Sequence, residues 1–586
     1  MKMFRNSART GSIVISLLLI TQLNVISASS IRGSRNNTGK ILQLISGLIE
    51  KNHYNPKAID DSFSHVLWKN YINALDPLKG IFLQQDIDSL KRFEYTLDDE
   101  IHGTQPFTFV SAVHHLYARR LGETFAIDKQ LLSKPFHFDI DETVNTNGSS
   151  SDSFATSETA LKDVRRKMLK YLAIQYFVAL QEHNNQYADS VLERVARQRS
   201  LEWRTRQQNQ LTKEADNTDM FKLFVNTMLH ILDPHSEYIV PSSDTIQAAN
   251  DNEAFVKKAV VQNDGKQIGY IGFSSFYLDS TAGGAHCSED VAKVLKQLDS
   301  IKVDGVVFDL RNNHGGSLQE VLCIVGLLVD NSTVVQIKMR NKKPVALKSP
   351  VTKALYKGPV VVLVNEKTAS AAEIFTAAMK DYHRGVIIGS RTYGKGTVQR
   401  PFSLGEGNGF VKLTFEQFFR INGSSSQIKG IVPDIILPDV YTYQKVREKD
   451  NANVLQWDSV AAANYKKLKE DFDIDALQKS ETERLSKDSS FVVVDNNNKP
   501  LARLQHKKLS LNIDAYKAAM AEQQKMIVQD KSALALPVSQ RLKIEPVDSN
   551  FSETEKTKWL RETSSDIYIN QAVNVIDDML KLKHHR

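Results

Sequence analysis

Ser370 and Lys395, 25 positions apart, are the residues of this chain whose types and local settings could do chemistry together. A serine hydroxyl attacks a carbonyl carbon when a neighbouring base takes its proton, and a lysine amine can be that base if it is neutral. Burial favours the neutral amine, because it lowers the pKa of lysine from its usual value of about 10.4. The pair therefore indicates hydrolysis by a serine nucleophile with a lysine base.

Ser370 lies where a strand pattern gives way to a helix pattern. The apolar run 359–364 is typical of a buried strand, and residues 370–380 have a helical pattern. At such a junction the hydroxyl can be exposed, and the first N–H groups of the helix are free to bind an anion. The alternative is structural, with Thr368 or Ser370 capping the helix and Glu373 completing a capping box.

Lys395 lies between two glycines, in a loop that follows the strand-like run 385–388. Glycines allow the backbone to bring a lysine inside the protein, although a lysine in such a turn is more commonly solvated. Gly389, Gly394 and Lys395 also fit the phosphate-binding pattern G-x-x-x-x-G-K. That pattern requires Ser or Thr next and then a helix, whereas Gly396 follows here without a helical pattern, which argues against nucleotide binding.

A glycine turn precedes both segments. Residues 306–310 are typical of a buried strand and residues 318–329 of an apolar helix, with Gly315 and Gly316 between them. Two glycines permit close backbone approach and leave N–H groups that could bind an oxyanion. An ordinary strand-to-helix turn uses glycine just as often, so the catalytic interpretation depends on the three segments together.

In order and spacing, these segments resemble the tail-specific, or C-terminal processing, peptidases of the serine/lysine class, family S41. The matching stretches are Asp309 to Gly316, Thr368 to Phe375, Asp381 to Arg384 and Thr392 to Gln399. The resemblance implies that Ser370 is the nucleophile, that Lys395 is the general base and that Gln399 orients the lysine. Asp381 matches an aspartate important for activity and is assigned with the catalytic residues on that ground, although a salt-bridging or capping role is an equally good interpretation.

The resemblance also assigns residues around this pair. Gly315 and Gly316 match glycines near the family's oxyanion hole, and the Ala371 N–H is the expected second donor. Glu373 and Thr392 match positions that support the site. The implied mechanism is acyl transfer through Ser370, and it requires neither a metal nor an organic cofactor.

A serine/histidine triad is the competing mechanism, for which His286, His314 and His383 are the candidates. None lies beside a G-x-S-x-G elbow, so we expect them to be structural or solvent-facing. His314 stands where close relatives commonly have glycine. It could narrow the oxyanion turn or simply face solvent.

The N-terminus has the pattern of a cleavable export signal. Lys2, Arg5 and Arg9 precede an apolar stretch at 13–26 and the small residues at 27–30. We therefore expect residues 1–29 to be a signal peptide and the protein to be periplasmic, or anchored in the inner membrane if the signal is not cleaved. Contact with a membrane is expected only through this segment, because no later run is long enough to span one.

Composition narrows the remaining classes. The formal net charge of +7 is weakly basic for 586 residues, and it implies no nucleic-acid partner. Cys287 and Cys323 could form one disulfide, but two free thiols are the preferred interpretation. The sequence Asp233-Pro234-His235 could suggest a metal site. Without a second ligand cluster it predicts a turn after a helix.

The sequence predicts a mixed fold, α/β and α. A helical N-terminal domain at 30–245 and a helical C-terminal domain at 441–586 flank a core at 246–440, which the resemblance makes a crotonase-like ββα peptidase core. The family normally has a PDZ domain before this core. Fewer than 30 residues separate Tyr238 from Ile268, which is too short for a domain of about 80 to 100 residues.

We therefore expect a serine endopeptidase that processes or degrades exported proteins in the periplasm, from their C-terminal tails or with little end preference. Its partners would be unfolded or partly folded protein substrates and, by the resemblance, a lipoprotein adaptor. The alternative is a weakly active or inactive relative without a PDZ domain that binds polypeptides or regulates another protease. Intact Ser370, Lys395 and Gln399 favour the enzyme.

Overall fold

The computed structural model describes residues 38–584 except 147, 149–152, 184–185, 215–216, 241–255, 280, 282, 443, 470–471, 505–507 and 548–551. The predicted signal peptide and the predicted boundary at 245 lie outside these residues. Within them, no helix combines the length and the apolar character needed to cross a membrane.

The N-terminal region is helical, with two short strands. Its elements are α1 (Thr38–Asn52), α2 (Asp61–Leu75), α3 (Gln84–Leu90), α4 (Leu97–His102), α5 (Phe109–Leu132), β1 (Thr143–Val144), α6 (Glu158–His183), α7 (Asp189–Glu214), α8 (Asn217–Leu232) and β2 (Glu237–Ile239). Apolar side chains at helical spacing form its core, and Leu42, Ile45 and Phe224 are completely buried there.

The central region alternates strands and helices. Its elements are β3 (Lys257–Asn263), β4 (Lys266–Gly272), α9 (Cys287–Ile301), β5 (Gly305–Asp309), α10 (Leu318–Gly326), β6 (Thr333–Met339), β7 (Val345–Lys348), β8 (Val360–Val364), α11 (Ala371–Asp381), β9 (Val386–Gly389), β10 (Thr397–Ser403), β11 (Phe410–Phe419) and β12 (Ile435–Ile436). Cys287 and Cys323 are free thiols here, as predicted.

The C-terminal region is again largely helical. Its elements are α12 (Ile474–Lys487), α13 (Ser489–Leu504), β13 (Leu509–Ser510), α14 (Ile513–Ala533), β14 (Lys543–Pro546), α15 (Glu553–Ser565) and α16 (Ile567–His584). The mixed α/β organisation with a helical N-terminal region, expected from the sequence, is confirmed.

A seven-stranded sheet in the order β12-β9-β8-β5-β4-β3-β14 forms the centre of the molecule. The strands from β12 to β4 run parallel, while β3 and β14 are antiparallel to their neighbours. Strands β5 and β8 are buried along their whole length, because helices cover both faces of the sheet. The carboxyl ends of β5, β8 and β9 share one edge, and the segments that leave them lead to Gly315, Ser370 and Lys395.

A second, antiparallel sheet has the order β10-β11-β6-β7, and β2 of the N-terminal region pairs with β11 beside β6. In the same way β14 of the C-terminal region extends the first sheet. Both flanking regions therefore complete sheets of the core. Only the 17 residues 240–256 join β2 to β3, too few for a PDZ domain of about 80 to 100 residues.

Candidate active site

Ser370 is the residue at which the chain enters α11, and its backbone is strained. Its φ of +56° and ψ of −118° are rare for a residue with a side chain. The Glu373 N–H donates to the Ser370 carbonyl oxygen at 2.9 Å. The Ser370 hydroxyl itself makes no capping hydrogen bond, and it lies at a partly exposed position.

The glycine turn packs directly against Ser370. The φ angles of Gly315 and Gly316 are +100° and +140°. A Cβ added to Gly315 would lie 2.7 Å from the Ser370 Cβ and 2.9 Å from the Ala371 nitrogen, which is too close for any side chain. The turn is thus built for a close approach of two backbones.

One expected oxyanion donor is already engaged. The Gly315 N–H donates to the Asn313 side-chain oxygen at 2.9 Å. The N–H groups of Gly316 and Ala371 have no hydrogen-bond partner among the described residues. These two are therefore the donors available for a developing oxyanion.

Glu373 is fully buried in the first turn of α11 and joins the serine and lysine segments. Its Oε2 accepts the N–H of Ser370 at 3.0 Å and that of Lys395 at 2.9 Å. Its Oε1 accepts the Thr392 hydroxyl at 2.5 Å and the Gly394 N–H at 2.8 Å. Burial raises the pKa of Glu373 to about 7, although all four bonds favour the carboxylate. One carboxylate thus fixes the backbone on both sides of the candidate dyad.

Lys395 lies mostly inside the protein, and its Nζ makes no hydrogen bond with a described residue. Its pKa is lowered from 10.5 to about 8, chiefly by burial and secondly by the nearby ammonium of Lys412. The carboxylates of Glu448, Asp233 and Glu373 act in the opposite direction. With such a pKa, about a tenth of the amine is neutral at pH 7, enough for a general base.

Gln399 lies on β10 opposite Thr414 of β11, next to an irregularity in the strand pairing. Its Nε2 donates to the hydroxyls of Thr397 at 3.0 Å and Thr414 at 3.1 Å. No described residue donates to its amide oxygen, which is therefore available to accept a hydrogen bond from an amine N–H. The orienting role predicted for Gln399 stays a prediction.

Asp381 is not at this site, and its assignment as a catalytic residue is corrected here. It ends α11, whose 11 residues place it about 16 Å along the helix axis from Ser370. Its carboxylate is held by the Arg420 guanidinium and by the Asn422 amide, the latter at 2.9 Å. The salt-bridging interpretation is therefore the correct one.

The three histidines considered for a triad do not contact the Ser370 hydroxyl. His314 is exposed and faces solvent, and His286 pairs with Glu320 at 3.3 Å. His383 follows the far end of α11. No group of three or more His, Cys, Asp or Glu side chains arranged to hold a metal ion occurs in the described part of the chain.

Sequence reasoning missed four residues around the site: Asp233, Lys412 and Glu448, whose charges act on Lys395, and Thr414, whose hydroxyl binds Gln399. Asp233 had been noted only as part of a turn. The available signal was its place in a segment, Asp233 to Tyr238, whose polar residues had been given no role beyond that turn.

Three sequence families match the chain. Peptidase family S41 matches residues 267–437, the tail specific protease N-terminal domain matches residues 45–242, and the C-terminal domain of tail specific protease matches residues 441–581. Together these matches cover most of the described chain.

Individual relatives carry related names. A tail-specific protease of Haemophilus influenzae is 36% identical over 273 residues, which are 44% of this chain and 38% of that protein. A carboxyl-terminal-processing protease of Picosynechococcus is 32% identical over 206 residues, 34% of this chain and 47% of the other. The alignments thus span less than half the length of each relative. The solved photosystem II D1 C-terminal processing protease aligns with 46% of this chain and 93% of its own, at 18% identity and a TM-score of 0.30.

Proposed function

Because this chain belongs to peptidase family S41 and carries both flanking domains of the tail-specific proteases, we propose that it is a serine endopeptidase with a Ser370 and Lys395 dyad. The observation that carries the proposal is the Glu373 carboxylate, which binds the N–H groups of both residues at 3.0 and 2.9 Å. A strained serine and a buried lysine with a lowered pKa, held by one group, are suited to nucleophilic catalysis.

The mechanism follows from these positions. The neutral Nζ of Lys395 takes the Ser370 proton while Oγ bonds to the carbonyl carbon of the scissile peptide. The N–H groups of Ala371 and Gly316 then stabilise the oxyanion. The Lys395 ammonium gives its proton to the leaving amine, so the C–N bond breaks and an acyl-enzyme forms. Water, deprotonated by Lys395, hydrolyses this ester and restores both side chains.

The proposal extends to fold type, substrate and compartment. The order β3-β4-α9 and β7-β8-α11 supports assigning the core to the crotonase-like ββα class. Exported proteins that are unfolded or partly folded would be the substrates, in the periplasm to which the predicted signal would direct the chain, and a lipoprotein could act as adaptor. We do not favour the binding-only alternative, because Ser370, Lys395 and Gln399 are all present and the Glu373 carboxylate holds the serine and lysine segments together.

The test is digestion of a reduced, carboxymethylated protein labelled with a fluorophore, with free or amidated C-terminus. We expect cleavage of the unfolded reporter, none of the folded one, and labelling of Ser370 by a fluorophosphonate. A lower rate on the amidated reporter would support processing from the tail, and equal rates would support internal cleavage. Binding of the reporter without cleavage would support the alternative and contradict the proposal.

The pH profile provides a second prediction. Only the neutral amine is a base, so kcat/KM is expected to rise with pH through a midpoint near the Lys395 pKa of about 8. Lys412→Met removes a cation that favours the neutral amine, so the midpoint should move to higher pH. The measurement is kcat/KM on a fluorogenic peptide from about pH 6 to about pH 10. A flat profile, or a midpoint moved to lower pH by Lys412→Met, would count against the lysine as base.

A further inference from the structure

The turn at Asp233, Pro234, His235 and Ser236 connects α8 to β2 and reaches the lysine loop by two routes. Asp233 is 1% exposed, and its carboxylate accepts hydrogen bonds from three side chains: His53 at 2.9 Å, Ser236 at 2.6 Å and Thr414 at 2.8 Å. Burial alone would raise the pKa of Asp233, but these bonds hold it at about 2. The turn therefore keeps a buried negative charge with fixed partners.

The first route passes through Thr414. This residue lies in the part of β11 between its pairing with β2 and its pairing with β6. Its N–H donates to the Ser236 hydroxyl at 3.0 Å, its carbonyl oxygen accepts the Tyr54 N–H at 2.9 Å, and its hydroxyl donates to Asp233. The same hydroxyl accepts the Gln399 amide at 3.1 Å. The N-terminal region thus orients the hydroxyl that holds Gln399.

The second route passes through His235. Its Nε2 lies 2.8 Å from Oε2 of the buried Glu448, whose Oε1 accepts the Gln427 amide at 2.9 Å. The Gln427 side-chain oxygen accepts the N–H of Gly396, the residue after Lys395, at 2.7 Å. Since Glu373 holds the N–H of Lys395 itself, the backbone of the lysine loop is fastened from two sides.

We propose that this turn of the N-terminal region is a positioning element of the active site, setting Gln399 through Asp233 and Thr414 and the loop of Lys395 through His235, Glu448 and Gln427. The inference rests on the proposed function, because it assigns residues to its reaction. None of these groups except Gln399 is expected to reach the reacting atoms.

The catalytic rate should be sensitive to these contacts, because they determine where the Lys395 amine lies. The Lys395 amine has no hydrogen bond of its own among the described residues, and glycines flank it, so its position depends on how the loop backbone and Gln399 are held. A misplacement of about 1 Å in a catalytic group can lower the rate by about 100-fold. Loss of the support should therefore act on kcat, because substrate binding does not involve these buried side chains.

Thr414→Val removes the linking hydroxyl while preserving the shape of the side chain. We expect kcat to fall about 10- to 100-fold with KM changed less than about twofold, and Thr414→Ser to restore most of the activity. Thr124→Val is the matched control, since it deletes a hydroxyl that is equally buried but binds only backbone carbonyls within α5. Unchanged kcat in Thr414→Val, or an effect confined to KM, would overturn the proposal.

Asp233→Asn adds a readout that a purely structural role would not move. The Asp233 carboxylate favours the charged form of Lys395, so its removal should shift the midpoint of the pH profile of kcat/KM to lower pH. Thr414→Val should instead lower the plateau of that profile and leave its midpoint unchanged. A shift to higher pH in Asp233→Asn would contradict the assignment.

A measurement without turnover separates this inference from the proposed function. In ¹⁵N-glutamine-labelled Ser370→Ala protein, the Gln399 side-chain amide is identified by its loss in Gln399→Leu. We expect its protons to exchange slowly with water and to exchange faster once Thr414→Val is added. Unchanged exchange would overturn the inference even if the protein is a peptidase, and faster exchange would support the link even if it is not.

Discussion

Ser370→Ala and Lys395→Met are each expected to lower kcat for a peptide substrate by roughly 10⁴- to 10⁶-fold. The serine change removes the proposed nucleophile, and the lysine change removes the proposed base; among the described residues none makes a hydrogen bond to the serine hydroxyl that could replace it. Burial of the lysine makes methionine a tolerable replacement, because an uncharged chain of similar length fills the same space. The measurement is kcat on a fluorogenic peptide at about pH 9, where the lysine is mostly neutral.

The two changes should not add, because the serine and the lysine act as one unit. The double variant is expected to be no slower than either single variant, with the remaining rate coming from the oxyanion donors and substrate binding. Ser332→Ala is the control, since its hydroxyl is buried without a hydrogen-bond partner in the described part of the chain, and it should keep full activity. Additive losses, or a Lys395→Met variant near wild-type activity, would mean that another group takes the proton.

Elements around the site were predictable because their signals are local. The expected strand at 359–364 and helix at 370–380 are observed as Val360–Val364 and Ala371–Asp381, and the strand expected at 306–310 is observed as Gly305–Asp309. Apolar runs and glycine turns determine such elements within about ten residues of chain. The family resemblance then indicated which polar residues at the ends of these elements belong to the site.

Contacts between distant segments were not predictable in the same way. His53 and Asp233 are 180 positions apart, and Thr414 lies 181 positions from Asp233, yet all three share one buried network. Nothing in the local pattern of Asp233-Pro234-His235 distinguishes a turn that hydrogen-bonds to β11 from an ordinary turn. Its partners are decided by the pairing of β2 with β11, which joins two predicted domains in one sheet.

Helix length could have prevented the error at Asp381. A residue at the start of an 11-residue helix and one at its end are separated by about 16 Å, so both could not serve one reacting centre. The engagement of the Gly315 N–H by Asn313 was less accessible, because a hydrogen bond from a backbone N–H to a side chain two residues away leaves no periodic pattern in the sequence. A local side-chain turn of this kind cannot be inferred from two glycines alone.

Gly315→Ala tests the close backbone approach directly, and we expect it to lower kcat/KM by roughly 10²- to 10³-fold. The new Cβ would lie 2.7 Å from the Ser370 Cβ, and 2.9 Å from both the Ala369 carbonyl oxygen and the Ala371 nitrogen. Two of these neighbours are backbone atoms, which cannot move aside as a flexible side chain could. Either the glycine turn or Ser370 must shift, and both shifts misplace the nucleophile relative to the Ala371 N–H.

Backbone strain must be separated from this steric effect, because alanine is unfavourable at the Gly315 φ of +100° by about 1–2 kcal/mol wherever it occurs. Gly265→Ala is the matched control for backbone strain. The φ of Gly265 is +79°, and an added Cβ there meets nothing within 4 Å. Both variants should lose a few degrees of Tm, but only Gly315→Ala should lose activity and react slowly with a fluorophosphonate at temperatures where it is folded. Equal activities in the two variants would show that the approach of Gly315 to Ser370 has no part in catalysis.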